Sequence, residues 1–310
     1  MKLPRISNPF HFGKSSTAKP NPASAPKTGS PTKPEAPAKN AASPTILPSS
    51  TGPKPVPGAD APTFENSPVN LSKRDRLSYN NALGLGRMSK ASYSEFNHEV
   101  NDTQFLHKEY KDHQVVAFAG TQDTMDFVTD AKFLKTSLEG MGKVHVGFDG
   151  AYKEIAPELE KCLNKDKPVF LTGHSLGGAT TIIAAQDLKK KGYDVAGVYT
   201  YGNPRVGDSK FKKAYDNLGI PTHRFVNSYD LVPRVPKIFY RHVERPVFMS
   251  GDGRLLQKQE SATKLWLWQV LGQRLGSHKM ASYLPNLEKL QQELSPNSSV
   301  ENLPGLVASA

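Results

Sequence analysis

The sequence predicts an α/β chain with a mostly parallel central sheet flanked by helices. Two observations predict it. Short, continuous apolar runs (Gln114 to Phe118, Pro168 to Thr172, Val195 to Tyr201, Thr222 to Asn227) read as strands buried in a sheet. Between them lie stretches with helical spacing of apolar positions, and this alternation is the pattern of parallel strands joined by crossover helices. A length of 310 residues accommodates one large domain of this class or two small ones.

Taken in order, residues 1–70 stand apart. They hold 15 of the 25 prolines, with eight Lys and Arg against three acidic residues, Glu35, Asp60 and Glu65. Such a composition cannot bury enough apolar area to offset chain entropy, so a disordered tail is expected there. The Met1-Lys2-Leu3-Pro4-Arg5 start has no apolar core of a Sec signal peptide. A Ser/Pro-rich, non-hydrophobic start resembles the export addresses of bacterial type III effectors. That implies secretion without a Sec signal, with a cytoplasmic location as the alternative.

A folded domain is expected over 71–295. Residues 71–93 read as a helix, Gln114 to Phe118 as a strand closed by Gly120, and Lys143 to Gly147 as a short extended piece leading into a helix with Ala151 and Tyr152. Pro157 suits the first turn of a helical run ending at Leu163. The strand Pro168 to Thr172 turns at Gly173 into a helix from Ser175 to about Lys190. After the strand Val195 to Tyr201, Asp208 begins a helix that ends at Gly219. Beyond Thr222 to Asn227, residues 241–249 and the Gly251-Asp252-Gly253 turn suggest a hairpin or edge strands. Helices are expected from Ala262 to Leu275, where Trp266 and Trp268 lie, and from Pro285 to Leu294, before a flexible C-terminal tail over 296–310.

Composition narrows the function. A net charge of +11 favours anionic surfaces such as acidic phospholipid headgroups. Nucleic acid is not the expected partner, because no zinc-finger spacing, RNP-type strand or basic recognition helix is present. No stretch has the apolar length of a membrane span. Cys162 is the single cysteine, which excludes an intramolecular disulfide and any metal site built on several thiolates. It reads as a packing residue.

The chemistry centres on Gly173-His174-Ser175-Leu176-Gly177-Gly178-Ala179, behind an apolar strand and ahead of a helix. This is the setting of a nucleophile elbow. The turn leaves no room for side chains at its flanks, hence the glycines, and it presents the serine at a helix N-terminus. On this reading the sheet is that of an α/β-hydrolase, and the Leu176 N–H faces a developing oxyanion. Serine needs a base oriented by a carboxylate, and the chain order in this fold is Ser, then Asp or Glu, then His. Asp230 follows a strand and precedes the turn-forming Pro233 and Pro236, and His278 comes later, before the last helix. Among competitors, His145 precedes the serine, His174 adjoins it and is expected to face a support layer, and His223 and His242 fall in strands. Asp208 reads as a helix cap and Asp194 lies in a turn.

Ordered motifs over residues 75–290 resemble the class 3 lipase family. They are Ala117-Phe118-Ala119-Gly120-Thr121, Asp126-Phe127 with Asp130 and Phe133, Val144 to Phe148 with Ala151-Tyr152, the serine elbow, Tyr201 to Asp208, Asn227 to Pro236, and His278 with Met280 and Tyr283. The resemblance implies a lipid-ester hydrolase with the triad Ser175, Asp230 and His278, needing no metal or cofactor. It implies oxyanion donors from Thr121 and Leu176, and a lid carrying Asp126, Phe127, Asp130 and Phe133. The implied partner is a lipid or membrane-surface substrate. An effector that binds a host partner, or a thioesterase or peptidase on the same fold, are the alternatives. Two departures stand out: Ala119 replaces the family's usual Arg, and the disulfides of fungal secreted members are impossible here.

Overall fold

Strands β3 (Gln114–Phe118), β6 (Val169–His174), β7 (Val195–Tyr201) and β8 (Thr222–Asn227) form the centre of the sheet. Nearly every residue in them is buried, because helices cover both faces and leave no polar side to the strands. The computed structural model describes residues 66–74, 76–120, 134–256 and 276–293, all within the unit Ala61–Ala310. β3, β6, β7, β8 and β9 (Pro246–Met249) run parallel. Antiparallel strands complete the eight-stranded order β1-β2-β3-β6-β7-β8-β9-β10: β1 (His98–Val100) and β2 (Thr103–Glu109) at one edge, β10 (Leu255–Leu256) at the other. The β9–β10 pairing is the hairpin expected around Gly251 to Gly253.

Helices α2 (Val146–Cys162), α3 (Leu176–Lys190) and α4 (Ser209–Asp216) cover one face, where Phe148, Ile155, Ile182 and Phe211 pack on Val116 and Leu171. α1 (Tyr79–Ala91) and α5 (Met280–Glu293) cover the other, with Leu85, Met88 and Leu287 on Val115 and Phe170. Each face thus has its own apolar core. This is the α/β-hydrolase architecture the sequence predicts.

Several elements differ from expectation. The helix expected over 71–93 is split into a 3₁₀ turn, Leu71–Lys73, and α1, which starts only at Tyr79 because the Ser78 hydroxyl caps it by accepting from the Asn81 N–H. Pro157 is not in a first turn but inside α2, and Pro285 lies inside α5. Both prolines stand on exposed faces, where the carbonyl each leaves unbonded can be hydrated. The piece expected from Lys143 is β5 (Gly142–His145), paired with β4 (Lys135–Leu138), which had no signal of its own. The β1–β2 hairpin was also not anticipated. Its turn is Asn101-Asp102, both at positive φ, as a two-residue hairpin loop requires. Thr121, the lid residues Asp126, Phe127, Asp130 and Phe133, the expected helix with Trp266 and Trp268, residues 1–65 of the expected N-terminal tail and the C-terminal tail lie outside the described residues, whereas Asn70, at the end of the expected N-terminal tail, already caps the 3₁₀ turn.

Candidate active site

Ser175 sits between the end of β6 and the first residue of α3, with φ 57° and ψ −126°. A non-glycine residue rarely occupies this region, so the surroundings must hold it there. They do so by close backbone packing. A Cβ on Gly173 would lie 2.4 Å from the Gly177 carbonyl oxygen, and one on Gly177 would lie 2.2 Å from that of Phe118. The Ser175 N–H donates to the Tyr201 carbonyl of β7 at 3.0 Å, while its carbonyl accepts from the Gly178 N–H at 3.1 Å. The Leu176 N–H, at the start of α3, forms no hydrogen bond among the described residues. It is one of the donors that every helix N-terminus leaves over, and it carries the positive end of the helix dipole.

Asp230 follows β8 in a tight turn whose N–H donates to the Asn227 carbonyl at 3.0 Å. Its Oδ1 accepts from the Val232 N–H at 2.9 Å. Its Oδ2 accepts from His278 Nδ1 at 2.8 Å and from the Tyr283 hydroxyl at 2.6 Å. Asp230 and His278 are both buried. With Nδ1 protonated toward the carboxylate, His278 Nε2 is the basic nitrogen, and it has no hydrogen-bond partner among the described residues. Burial, then the adjacent Asp230 carboxylate, pushes the Tyr283 phenol far up, so it stays a donor at all working pH. The same phenol oxygen accepts from the Asn227 N–H at 3.1 Å, and the Asn227 amide donates to the Ser277 carbonyl at 3.0 Å. The turn after β8, the 3₁₀ turn Gly276–His278 and α5 are thereby tied into one unit.

Gly202 brings this pair next to the elbow. It directly follows β7, whose last carbonyl holds the Ser175 N–H. At φ 60°, it lies where a Cβ would come within 2.6 Å of Asp230 Oδ2 and 3.1 Å of His278 Nδ1. No hydrogen bond joins Ser175 to His278 among the described residues. The link between their segments runs through His174, whose Nε2 donates to the His278 carbonyl at 2.5 Å. The Tyr93 hydroxyl donates to His174 Nδ1 at 2.8 Å and also accepts from the Gly120 N–H. Burial, then the nearby His278, holds His174 well below the usual imidazole range, so it is a neutral, fixed-tautomer connector. This is the support role expected of the residue beside the serine.

The competing residues have other duties. His145 Nδ1 accepts from the Gly147 N–H at 3.1 Å and caps α2. His223, in β8, packs on Tyr199 and is pushed down to about 4 by burial. His242 is not in a strand, as the sequence suggested, but precedes β9, with Nε2 donating to the Pro233 carbonyl at 2.6 Å. Asp208 caps α4 by accepting from the Phe211 N–H at 2.8 Å, and Asp194 pairs with Arg74. Sequence reasoning missed Tyr93 and Gly202, and it named Tyr283 only within a motif. Gly202 stood in the Tyr201 to Asp208 motif, but nothing local marked any of the three as a contact of Asp230 or His278.

Residues 115–240 match the family described as lipase (class 3). A lipase of Rhizomucor miehei is 36% identical over 133 residues, covering 39% of this chain and 37% of that protein. Secreted mono- and diacylglycerol lipase 1 of Fusarium solani is 34% identical over 148 residues, 44% of each chain. The chain therefore spans less than half the length of these relatives. Its fold is similar to that of the native Rhizomucor miehei lipase propeptide complex, with a TM-score of 0.51 and 24% identity over 58% of this chain and 72% of that one. The stretch that is similar to the class 3 lipase family, residues 115–240, contains the serine elbow and the Asp230 turn.

Proposed function

We propose that this chain is a serine hydrolase that cleaves carboxyl esters of lipids through an acyl-enzyme. The observation that carries the proposal is a serine at positive φ on a helix N-terminus, beside a buried Asp–His pair with one free imidazole nitrogen. In this mechanism Ser175 attacks the ester carbonyl as His278 Nε2 takes its proton. Asp230 keeps Nδ1 protonated and stabilises the imidazolium that forms. The Leu176 N–H and the Thr121 N–H hold the oxyanion, each such donor contributing about 10²–10³ in rate. His278 then protonates the leaving alcohol, and water repeats the sequence to release the acid. Residues Asp126, Phe127, Asp130 and Phe133 belong to a lid that opens on a lipid surface.

An exposed apolar patch supports the lipid reading. Ile238 (63% exposed), Phe239 (76%), Leu134 (59%) and Val146 (45%) stand in solvent. They form one surface: the Val146 N–H and the Tyr240 hydroxyl both donate to the Leu134 carbonyl, at 3.0 and 3.1 Å. Lys135 Nζ lies 4.5 Å from the Tyr240 ring centre, and Lys143, Lys210 and Arg241 line the same 850 Å³ hollow. Apolar side chains ringed by cations suit a bilayer with anionic headgroups. One of the relatives is named as secreted, which supports action outside the producing cell.

Hydrolysis of a p-nitrophenyl ester by the wild type and by Ser175→Ala tests the proposal. The substitution is expected to lower kcat by about 10⁴-fold or more; unchanged activity overturns the assignment. Product analysis after incubation with triacylglycerol emulsions and with phospholipid vesicles then identifies the headgroup class.

A further inference from the structure

Away from the serine, three metal-binding side chains converge at the sheet edge. His98 lies on β1, His107 on β2 and Cys162 in the last turn of α2. One ligand atom from each lies within 4.8 Å of the other two. The fold dictates this meeting. His98 pairs in register with Phe105, so His107, two residues on, projects from the same face of the hairpin as a diagonal neighbour. α2 lies across that face and presents a stripe with a four-residue repeat, Glu154, Glu158 and Cys162. Glu154 accepts from the Thr103 hydroxyl at 3.0 Å, and Glu158 lies 3.3 Å from His98 Nδ1. Cys162 is the next position along the stripe.

We propose that His98, His107 and Cys162 bind one zinc ion that clips the β1–β2 hairpin to α2. Two imidazoles and a thiolate are a donor set that zinc prefers. Zinc–nitrogen and zinc–sulfur bonds of about 2.0–2.3 Å place tetrahedral ligand atoms roughly 3.3–3.8 Å apart, against a present spacing of at most 4.8 Å; binding also releases the Cys162 thiol from the Leu159 carbonyl, to which it now donates at 3.2 Å. The second shell is already in place. Glu158 holds His98 Nδ1, leaving Nε2 for the metal, and Gln114 Oε1 lies 3.4 Å from His107 Nε2, leaving Nδ1. His98 is fixed further by stacking flat on Phe105, centroids 4.5 Å apart. On binding, a sulfur–zinc bond replaces the S–H bond of Cys162, the proton passes to water, and water fills the fourth position. No redox change is involved.

Metal-free full-length protein titrated with Zn²⁺, and separately with Co²⁺ as a spectroscopic probe, tests the clip. The wild type is expected to take up one ion per chain, to give a thiolate-to-cobalt charge-transfer band, and to gain about 5–10 °C in Tm at a hundredfold excess over Kd. Cys162→Ser should abolish the band and weaken zinc binding at least a hundredfold, and His107→Ala should weaken it similarly. Glu158→Gln should weaken it by about 10–100-fold through the second shell alone. Circular dichroism of the metal-free variants separates loss of the site from loss of the fold. Absence of stoichiometric binding, a cobalt spectrum without the thiolate band, or zinc affinity unaffected by Cys162→Ser overturns the proposal. Esterase activity is not the readout, so the clip and the proposed function stand or fall separately.

Discussion

At the residue scale, the Tyr283 hydroxyl shows how the site is held. It donates to Asp230 and accepts from the Asn227 N–H, both buried. Tyr283→Phe keeps the ring but leaves that N–H unpaired, a cost of about 1–3 kcal/mol. Urea denaturation should show this loss, with kcat falling and KM nearly unchanged, because the hydroxyl supports the acid and not the substrate. An unaltered unfolding midpoint would mean that the Asn227 N–H finds another acceptor. Ser175, Asp230 and His278 were legible as candidates because elbow chemistry and chain order are local and sequential signals. The hydroxyls that brace them were not. Tyr93 lies 81 positions from His174, and Tyr283 lies 53 from Asp230. Contacts of that kind leave no periodicity to read.

At the element scale, the strand ends decide the site. Gly202 closes β7 at positive φ against Asp230, Tyr283 and His278. Gly202→Ala should displace the Asp–His pair and strain the turn, lowering kcat by about 10²-fold and stability by about 1–3 kcal/mol. Steady-state kinetics on a soluble ester together with thermal melts check both. The central strands β3, β7 and β8 were read at their true bounds because burial on both faces gives an unbroken apolar run. β1 (His-Glu-Val) and β2 (Thr-Gln-Phe-Leu-His-Lys-Glu) escaped because edge strands mix polar and apolar residues. The sequence reading divides α2 at Pro157 and begins α5 only at Pro285, because proline marks helix starts, although exposed faces tolerate both inside a helix. The Ile238–Phe239 loop makes its own prediction. Replacing both residues by Ser should cut activity on anionic vesicles about tenfold or more, since burying each side chain is worth about 1.5–3 kcal/mol. Turnover of a soluble ester should hold within about twofold. Equal losses on both substrates would place the loop in the catalytic machinery instead of the docking surface.

At the scale of the whole molecule, buried imidazoles set the response to acid. His174, His223 and His242 are all pushed below the ordinary imidazole range by burial first, with His223 near 4. Such groups stay neutral in the folded protein but take up protons once unfolded. Their contribution is therefore complete above about pH 6.5 and is lost as pH falls toward their folded values, at about 1.4 kcal/mol per pH unit for each. Urea midpoints at pH 7.5, 6.5 and 5.5 should fall in that order, and His223→Phe should flatten the slope; a midpoint that rises on acidification contradicts the account. The two ends of the sheet add a different property. β1 has three residues and β10, among the described residues, two, so neither described margin offers a long open ladder to a second chain. On the proposed function the protein gathers on a lipid surface and is crowded in two dimensions, where collisions between copies are frequent. There the short described margins would give neighbouring copies little to zip onto edge to edge.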